Sequence, residues 1–173
     1  DGTAKVWMLD GTLEGTCQTD GHLFAVAAMP DGEHFVTGGQ QKLIKLFHID
    51  GTRVATLQGH NNYVTSLAVT AGGQHVISAS LDKTVKVWSM TSNSLLSTCN
   101  VNKHLDAVAA MPDGKRILSG SIDTTIRVWL LDGTHQNTFQ LHDGHVYALV
   151  AMHDNQHALS GSEDNTVKLF NVN

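Results

Sequence analysis

The stretch LHDGHVYAL, residues 141–149, places His142 and His145 three residues apart, with Asp143 between them and Tyr147 just behind. A His-x-x-His pair supplies two of the three or four ligands that zinc takes, so a metal centre would need donors from elsewhere. The other chemistry these residue types raise is acyl transfer. His142, Ser160 and Asp164 share one segment, and His60, Ser78 and Asp82 repeat the same types at the same spacing. A serine triad needs one exposed nucleophile beside an oxyanion hole. The chain has no Gly-x-Ser-x-Gly elbow, the strand-to-helix turn that presents such a serine in one large hydrolase fold. Recurrence marks architecture, so no catalytic residue is assigned and the chain is expected not to be an enzyme.

The elements that position these residues repeat throughout. Trp7, Phe47, Trp88, Trp129 and Phe170 lie 40, 41, 41 and 41 residues apart, and AVAAMPDG occurs at 25–32 and again at 107–114. Six residues before each aromatic stand Asp1, Gln41, Asp82, Asp123 and Asp164, and two before stand Lys5, Lys45, Lys86, Arg127 and Lys168. Within one period, VTSLAV (64–69), HVISAS (75–80) and TVKVW (84–88) read as short β-branched strands separated by turn residues. Pro30-Asp31-Gly32 and Pro112-Asp113-Gly114 suit a type I turn, because proline presets its first central position. Asp10-Gly11, Asp50-Gly51 and Asp132-Gly133 read as hairpins into a fourth strand. Four strands in each repeat with no helical stretch predict an all-β fold, a β-propeller of four-stranded antiparallel blades. The expected division of this single region is a partial blade over 1–18, then repeats 19–59, 60–100, 101–141 and 142–173, about four blades in all.

Composition narrows the functional classes. The 173 residues carry a formal charge of -5, with 41% hydrophobic and 16% charged residues. A mildly acidic chain is a poor match for nucleic acid or an anionic membrane, and no apolar run approaches a membrane span. The repeat cations are expected one to a blade on a strand's polar face, spread around a ring rather than clustered along a phosphate-tracking groove. Cys17 and Cys99 fall at equivalent positions of non-adjacent blades, too far apart for a disulfide. Free thiols, no Asn-x-Ser/Thr sequon and no basic or signal-like opening segment lead to an intracellular, cytoplasmic expectation.

These residues resemble the WD-repeat (WD40) β-propeller family over essentially the whole chain. The second full repeat carries the signature most completely, with Gly59-His60, SAS at 78–80 and LDKTVKVW at 81–88. The resemblance implies a hydrogen-bonded tetrad of His60, Ser78, Asp82 and Trp88 tying one blade together. Departures follow in the other blades. The last has His142, Ser160 and Asp164 with Phe170 in place of the indole, and the third has Ser119, Asp123 and Trp129 with Val101 in place of the histidine. The first has Thr19, Thr37, Gln41 and Phe47, so the first and third blades are expected to rely more on packing than on the tetrad.

The resemblance also implies which residues meet partners at the top face and channel mouth. One set is His22, Tyr63, His104 and His145, and a second is Phe24, Thr65, Asp106 and Tyr147. Gln40, Leu81, Ile122 and Glu163, each just before the tetrad position, form the third. Histidine and aromatic side chains offer apolar area with a polar tip, which suits peptide recognition. The expected function is a non-enzymatic scaffold for partner proteins or peptides, with no cofactor and no resident metal. The alternative is a metal- or ligand-dependent enzyme or binder at the histidine-bearing mouth. Against a metal, His22 is separated from His104 by the Tyr63 blade and no cysteine joins them. The remaining histidines read as surface residues. Propellers of this family close with about seven or eight blades, so the chain is expected to be part of a larger ring, completed by missing blades or by a second chain.

Overall fold

The computed structural model describes residues 2–173, all of whose regular elements are β-strands. Asp1, aligned above with the tetrad aspartates, lies outside the described residues. A leading pair, β1 (Thr3–Trp7) and β2 (Leu13–Gln18), precedes three four-stranded antiparallel sheets. The first full blade contains β3 (Leu23–Ala28), β4 (His34–Gly39), β5 (Leu43–His48) and β6 (Arg53–Gln58). The second contains β7 (Val64–Val69), β8 (His75–Ser80), β9 (Thr84–Ser89) and β10 (Ser94–Asn100). The third contains β11 (Leu105–Ala110), β12 (Arg116–Ser121), β13 (Ile126–Leu130) and β14 (His135–Phe139). The last has three strands, β15 (Val146–Ala151), β16 (His157–Ser162) and β17 (Val167–Asn171).

Each blade is a meander, so its turns alternate between two faces. The first-to-second and third-to-fourth turns lie on one face, here the bottom. The second-to-third turns and the links between blades lie on the top. The bottom turns follow the residue chemistry. Gly32 N–H donates to Met29 O at 3.2 Å across Pro30-Asp31, and Gly32 has φ 74°, a conformation glycine adopts without a Cβ penalty.

The core lies between the sheets. Met29, Val36, Ile44 and Leu57 of the first full blade cluster with Val64, Leu67, Val76 and Trp88 of the second. Equivalent clusters join the second blade to the third and the third to the last. Cys17, Phe35 and Phe47 join the leading pair to the first full blade. Each fully buried aliphatic side chain contributes about 1.5–3 kcal/mol of transfer free energy. A blade therefore depends on its neighbours for its core. Innermost strands β3, β7, β11 and β15 touch in sequence, but the ring is not closed. Val167 is 72% exposed, whereas its counterparts Ile44, Val85 and Ile126 are at 0%. At the other end Val26 is 64% exposed where Leu67 is at 9%.

Candidate functional site

Three blades carry the Asp at the tight top turn between their second and third strands, and the residue after it adopts a left-handed conformation: Lys83 φ 71°, Thr124 φ 70°, Asn165 φ 63°. In the second blade the turn aims Asp82 at His60, which precedes β7. His60 Nδ1 lies 2.7 Å from Asp82 Oδ2, and His60 Nε2 lies 2.7 Å from Ser78 Oγ. Trp88 Nε1–H donates to Ser78 Oγ at 2.8 Å. An indole can only donate and an ionised carboxylate can only accept, so Ser78 Oγ accepts from Trp88 and His60 Nδ1–H donates to Asp82. In the neutral imidazole that leaves Nε2 to accept from the Ser78 hydroxyl. Burial pushes the Asp82 carboxyl up, but hydrogen bonds from His60, Thr84 and the Asn61 backbone outweigh it and hold the group well below the usual carboxylate range.

The last blade repeats the arrangement with His142 Nδ1 2.7 Å from Asp164 Oδ2 and His142 Nε2 2.7 Å from Ser160 Oγ. Phe170 leaves Ser160 without an indole donor. The third blade keeps Trp129 Nε1–H donating to Ser119 Oγ at 2.9 Å. Its Asp123 is taken by the Arg127 guanidinium, at 2.7 Å from Nη2 and 3.3 Å from Nη1. The third blade is thus held by more than packing: half the network survives and an ion pair replaces the rest. In the first blade Phe35 stacks on Phe47 with centroids 5.7 Å apart. Buried Lys45 there donates to Thr19 O at 3.0 Å and to Asp20 Oδ2 at 2.8 Å.

Lys45 corrects the expectation that the repeat cations stand on a polar strand face. Lys86 is buried too and donates to Thr98 Oγ1 at 3.0 Å, while Lys168 donates to Leu141 O. Their methylene stems are covered by neighbouring loops and strands while each ammonium finds oxygen acceptors.

Two supporting positions escaped the sequence reading. Thr84, Thr125 and Thr166 each donate to the first carboxylate oxygen of Asp82, Asp123 and Asp164 at 2.6 Å. Ser80, Ser121 and Ser162 accept from the backbone N–H of the same aspartates at 3.0, 3.3 and 3.2 Å. Both are visible in retrospect as Ser-x-Asp-x-Thr, which recurs three times and is absent from the first blade, where Gly39, Gln41 and Leu43 stand instead.

The residues assigned to the channel mouth are drawn together in pairs by one repeated bond. Gln40 N–H donates to His22 O at 2.9 Å, Leu81 to Tyr63 at 3.0 Å, Ile122 to His104 at 3.2 Å, and Glu163 to His145 at 2.9 Å. None of the twelve residues is buried. Phe24 and Tyr63 meet across neighbouring blades with ring centroids 5.8 Å apart. His145 packs edge-on against Tyr147 at 5.8 Å and lies 3.7 Å from Glu163. Thr65 behaves differently, donating to Leu105 O of the next blade at 2.6 Å. Burial raises the Asp106 carboxyl, with His145 and His104 acting in the opposite sense, and Asp106 Oδ2 has no hydrogen-bond partner. His22, Gln40 and Tyr63 line a top-face recess of about 690 Å³ beside the leading pair.

His142 and His145, three residues apart in sequence, therefore face different surroundings. The first is enclosed in its blade and the second stands beside Tyr147 and Glu163 at the surface. Among the described residues no three His, Cys, Asp or Glu side chains converge as a metal-ligand group, and no helix is long and apolar enough to cross a membrane. Cys17 and Cys99 are free and buried, and burial pushes the Cys99 thiol up to about 11.

A comparison with curated proteins finds no match. The family model for the WD domain, G-beta repeat, matches over residues 11–48, 51–89, 93–129 and 133–171. Each match takes in the outer strand of one sheet and the three inner strands of the next, so a sequence repeat straddles two blades. Matched over most of its length, the chain belongs to the WD domain, G-beta repeat family.

Proposed function

We propose that the chain is a non-enzymatic scaffold that binds partner proteins or peptides through its top face. Proteins built from WD repeats serve generally as protein-interaction scaffolds and are typically non-enzymatic. The observation that carries the reading is the repeated backbone bond between the two top loops of each blade. It preorganises His22, Phe24, Gln40, Tyr63, His104, Asp106, His145, Tyr147 and Glu163 on rigid strand ends, so binding orders few side chains. Exposed Phe24 and Tyr147 supply apolar area, and Asp106 and Glu163 supply charge that selects among partners. In a pull-down from native lysate followed by titration of the captured partner, Tyr147→Ala or His145→Ala weakens binding about tenfold or more and leaves the thermal melt nearly unchanged. Unaltered binding by both variants would remove the top face from the reading.

The open ends extend this proposal. Exposed Val167 and Leu169 at one end, and Val26 at the other, are surfaces for further blades, from a longer chain or a second one. Sedimentation of the 173-residue chain alone is expected to show self-association. A stable monomer would count against any need for closure.

A further inference from the structure

The bottom face carries a seam in which the chain has plugged one copy of a site and left another open. In the plugged copy, between the third and last blades, the Asp113 carboxylate caps its own turn, accepting from Lys115 N–H at 2.8 Å and Arg116 N–H at 3.1 Å. Its other oxygen accepts from Arg116 Nε at 2.7 Å. The guanidinium then crosses to the last blade, donating to Asn155 O at 2.6 Å and Asn173 Oδ1 at 2.7 Å.

Two repeats earlier, between the first and second full blades, the same positions are occupied by Asp31, His34, Gly73 and Thr91. Asp31 makes the same cap, accepting from Glu33 N–H at 2.9 Å and His34 N–H at 3.0 Å, and Gly73 matches the backbone of Asn155 with φ 69° against 59°. His34 reaches only as far as Asp31 Oδ2, at 3.0 Å. Among the described residues no side chain donates to Gly73 O or to the Thr91 hydroxyl. These four residues, with Met29 and Met90, line an open cleft of about 290 Å³.

We infer that this cleft is a receptor for an arginine side chain of a partner protein. The chain's own Arg116 shows what the acceptor set takes. The planar fork spans a carboxylate on one blade and two neutral oxygens on the next, which a compact ammonium cannot do. Met29 and Met90 line the cleft and offer apolar area to the methylene stem; the equivalent positions in the plugged copy are the buried Met111 and Val172. The site lies on the face opposite Tyr147, so it stands or falls independently of the top-face reading.

The test is an NMR titration of the isotope-labelled chain with acetyl-Gly-Arg-Gly-amide and, separately, its lysine counterpart. Saturable shifts at His34, Gly73 and Thr91 are expected with the arginine peptide, and binding at least about fivefold weaker with lysine. His34→Arg, which copies Arg116 and fills the cleft from within, abolishes the response. Asp31→Asn, which keeps the shape of the cap, weakens it about two- to fivefold. Equal response to the two peptides, shifts confined to other surfaces, or undiminished binding to the Asp31→Asn and His34→Arg variants would overturn the proposal.

Discussion

The second and third full blades share a fold, a length and a buried Trp–Ser hydrogen bond, yet they hold their aspartates in opposite ways. Asp82 is bound to a histidine, the two side chains being 6% and 0% exposed. Asp123 is bound to an arginine at 18% and 19% exposure, four residues along the same hairpin. The histidine joins positions 18 and 22 residues apart and so ties the loop entering β7 to the top turn and to the interior. The arginine pair ties a hairpin only to itself. The loop entering β11 is held by the packing of Val101 beside Leu105 and Trp129 and by bonds to His104 O from the top turn, with no buried side-chain bond from position 101. The same acidic position thus does long-range work in one blade and local work in the next. What decides is whether the preceding loop can deliver an imidazole to the interior.

The strongest way to break that comparison is to remove each aspartate in turn. Asp82→Ala leaves the His60 and Thr84 donors without their acceptor in a buried setting and should cost about 3 kcal/mol. Asp123→Ala leaves a partly exposed Arg127 that can turn to water, and should cost about 1 kcal/mol. Urea melts of the two variants check the difference, and equal losses would dissolve the distinction. The pH dependence carries the same sign for both. Burial opposes ionisation of each, but hydrogen bonds hold both carboxyls below their ordinary range. Their stabilisation is therefore complete above the unfolded value of about 3.9 and fades as the pH falls below it. The gap between the parent and Asp82→Ala should stay constant above about pH 5, begin to narrow below about pH 3.9 and keep closing as the pH falls toward the depressed folded value.

The blades, their strands and the tetrad were legible because the period repeats the same local chemistry, so one repeat explains the next. Turn residues such as Pro30-Asp31-Gly32 mark their own geometry. The fates of Lys45 and Lys86 were not legible, because an alternating strand pattern does not say that a loop or outer strand will cover a lysine's stem and offer an oxygen to its ammonium. Thr65, aligned with Tyr147, turns into the seam toward Leu105 O for a similar reason: its acceptor belongs to another blade. The cleft beside His34 depends on contacts between turns of neighbouring sheets. It becomes visible only when Arg116 is seen crossing the equivalent seam. Sequence periodicity reports what a residue does within its blade and is nearly silent about what it does between blades.

The smallest effect is the sharpest test of equivalence. Position 101 precedes Ser119 and Asp123 by 18 and 22 residues, the separations His60 and His142 have from their own partners. Val101→His should therefore deliver an imidazole to a serine already oriented by Trp129. Two costs oppose the gain: the buried Val101 leaves its apolar cluster, and Asp123 is already committed to Arg127. In the blades with a histidine the corresponding cation is a lysine that reaches elsewhere, Lys86 to Thr98 and Lys168 to Leu141. The single variant is expected to be near neutral. Combined with Arg127→Lys, which frees the carboxylate, it should gain about 1 kcal/mol through a positive coupling between the two sites. A double-mutant cycle from urea melts measures that coupling. A loss in both the single and the double variant, with no coupling, would mean that the third blade cannot adopt the buried arrangement. Its arginine pair would then be a distinct solution rather than a substitute for the missing histidine.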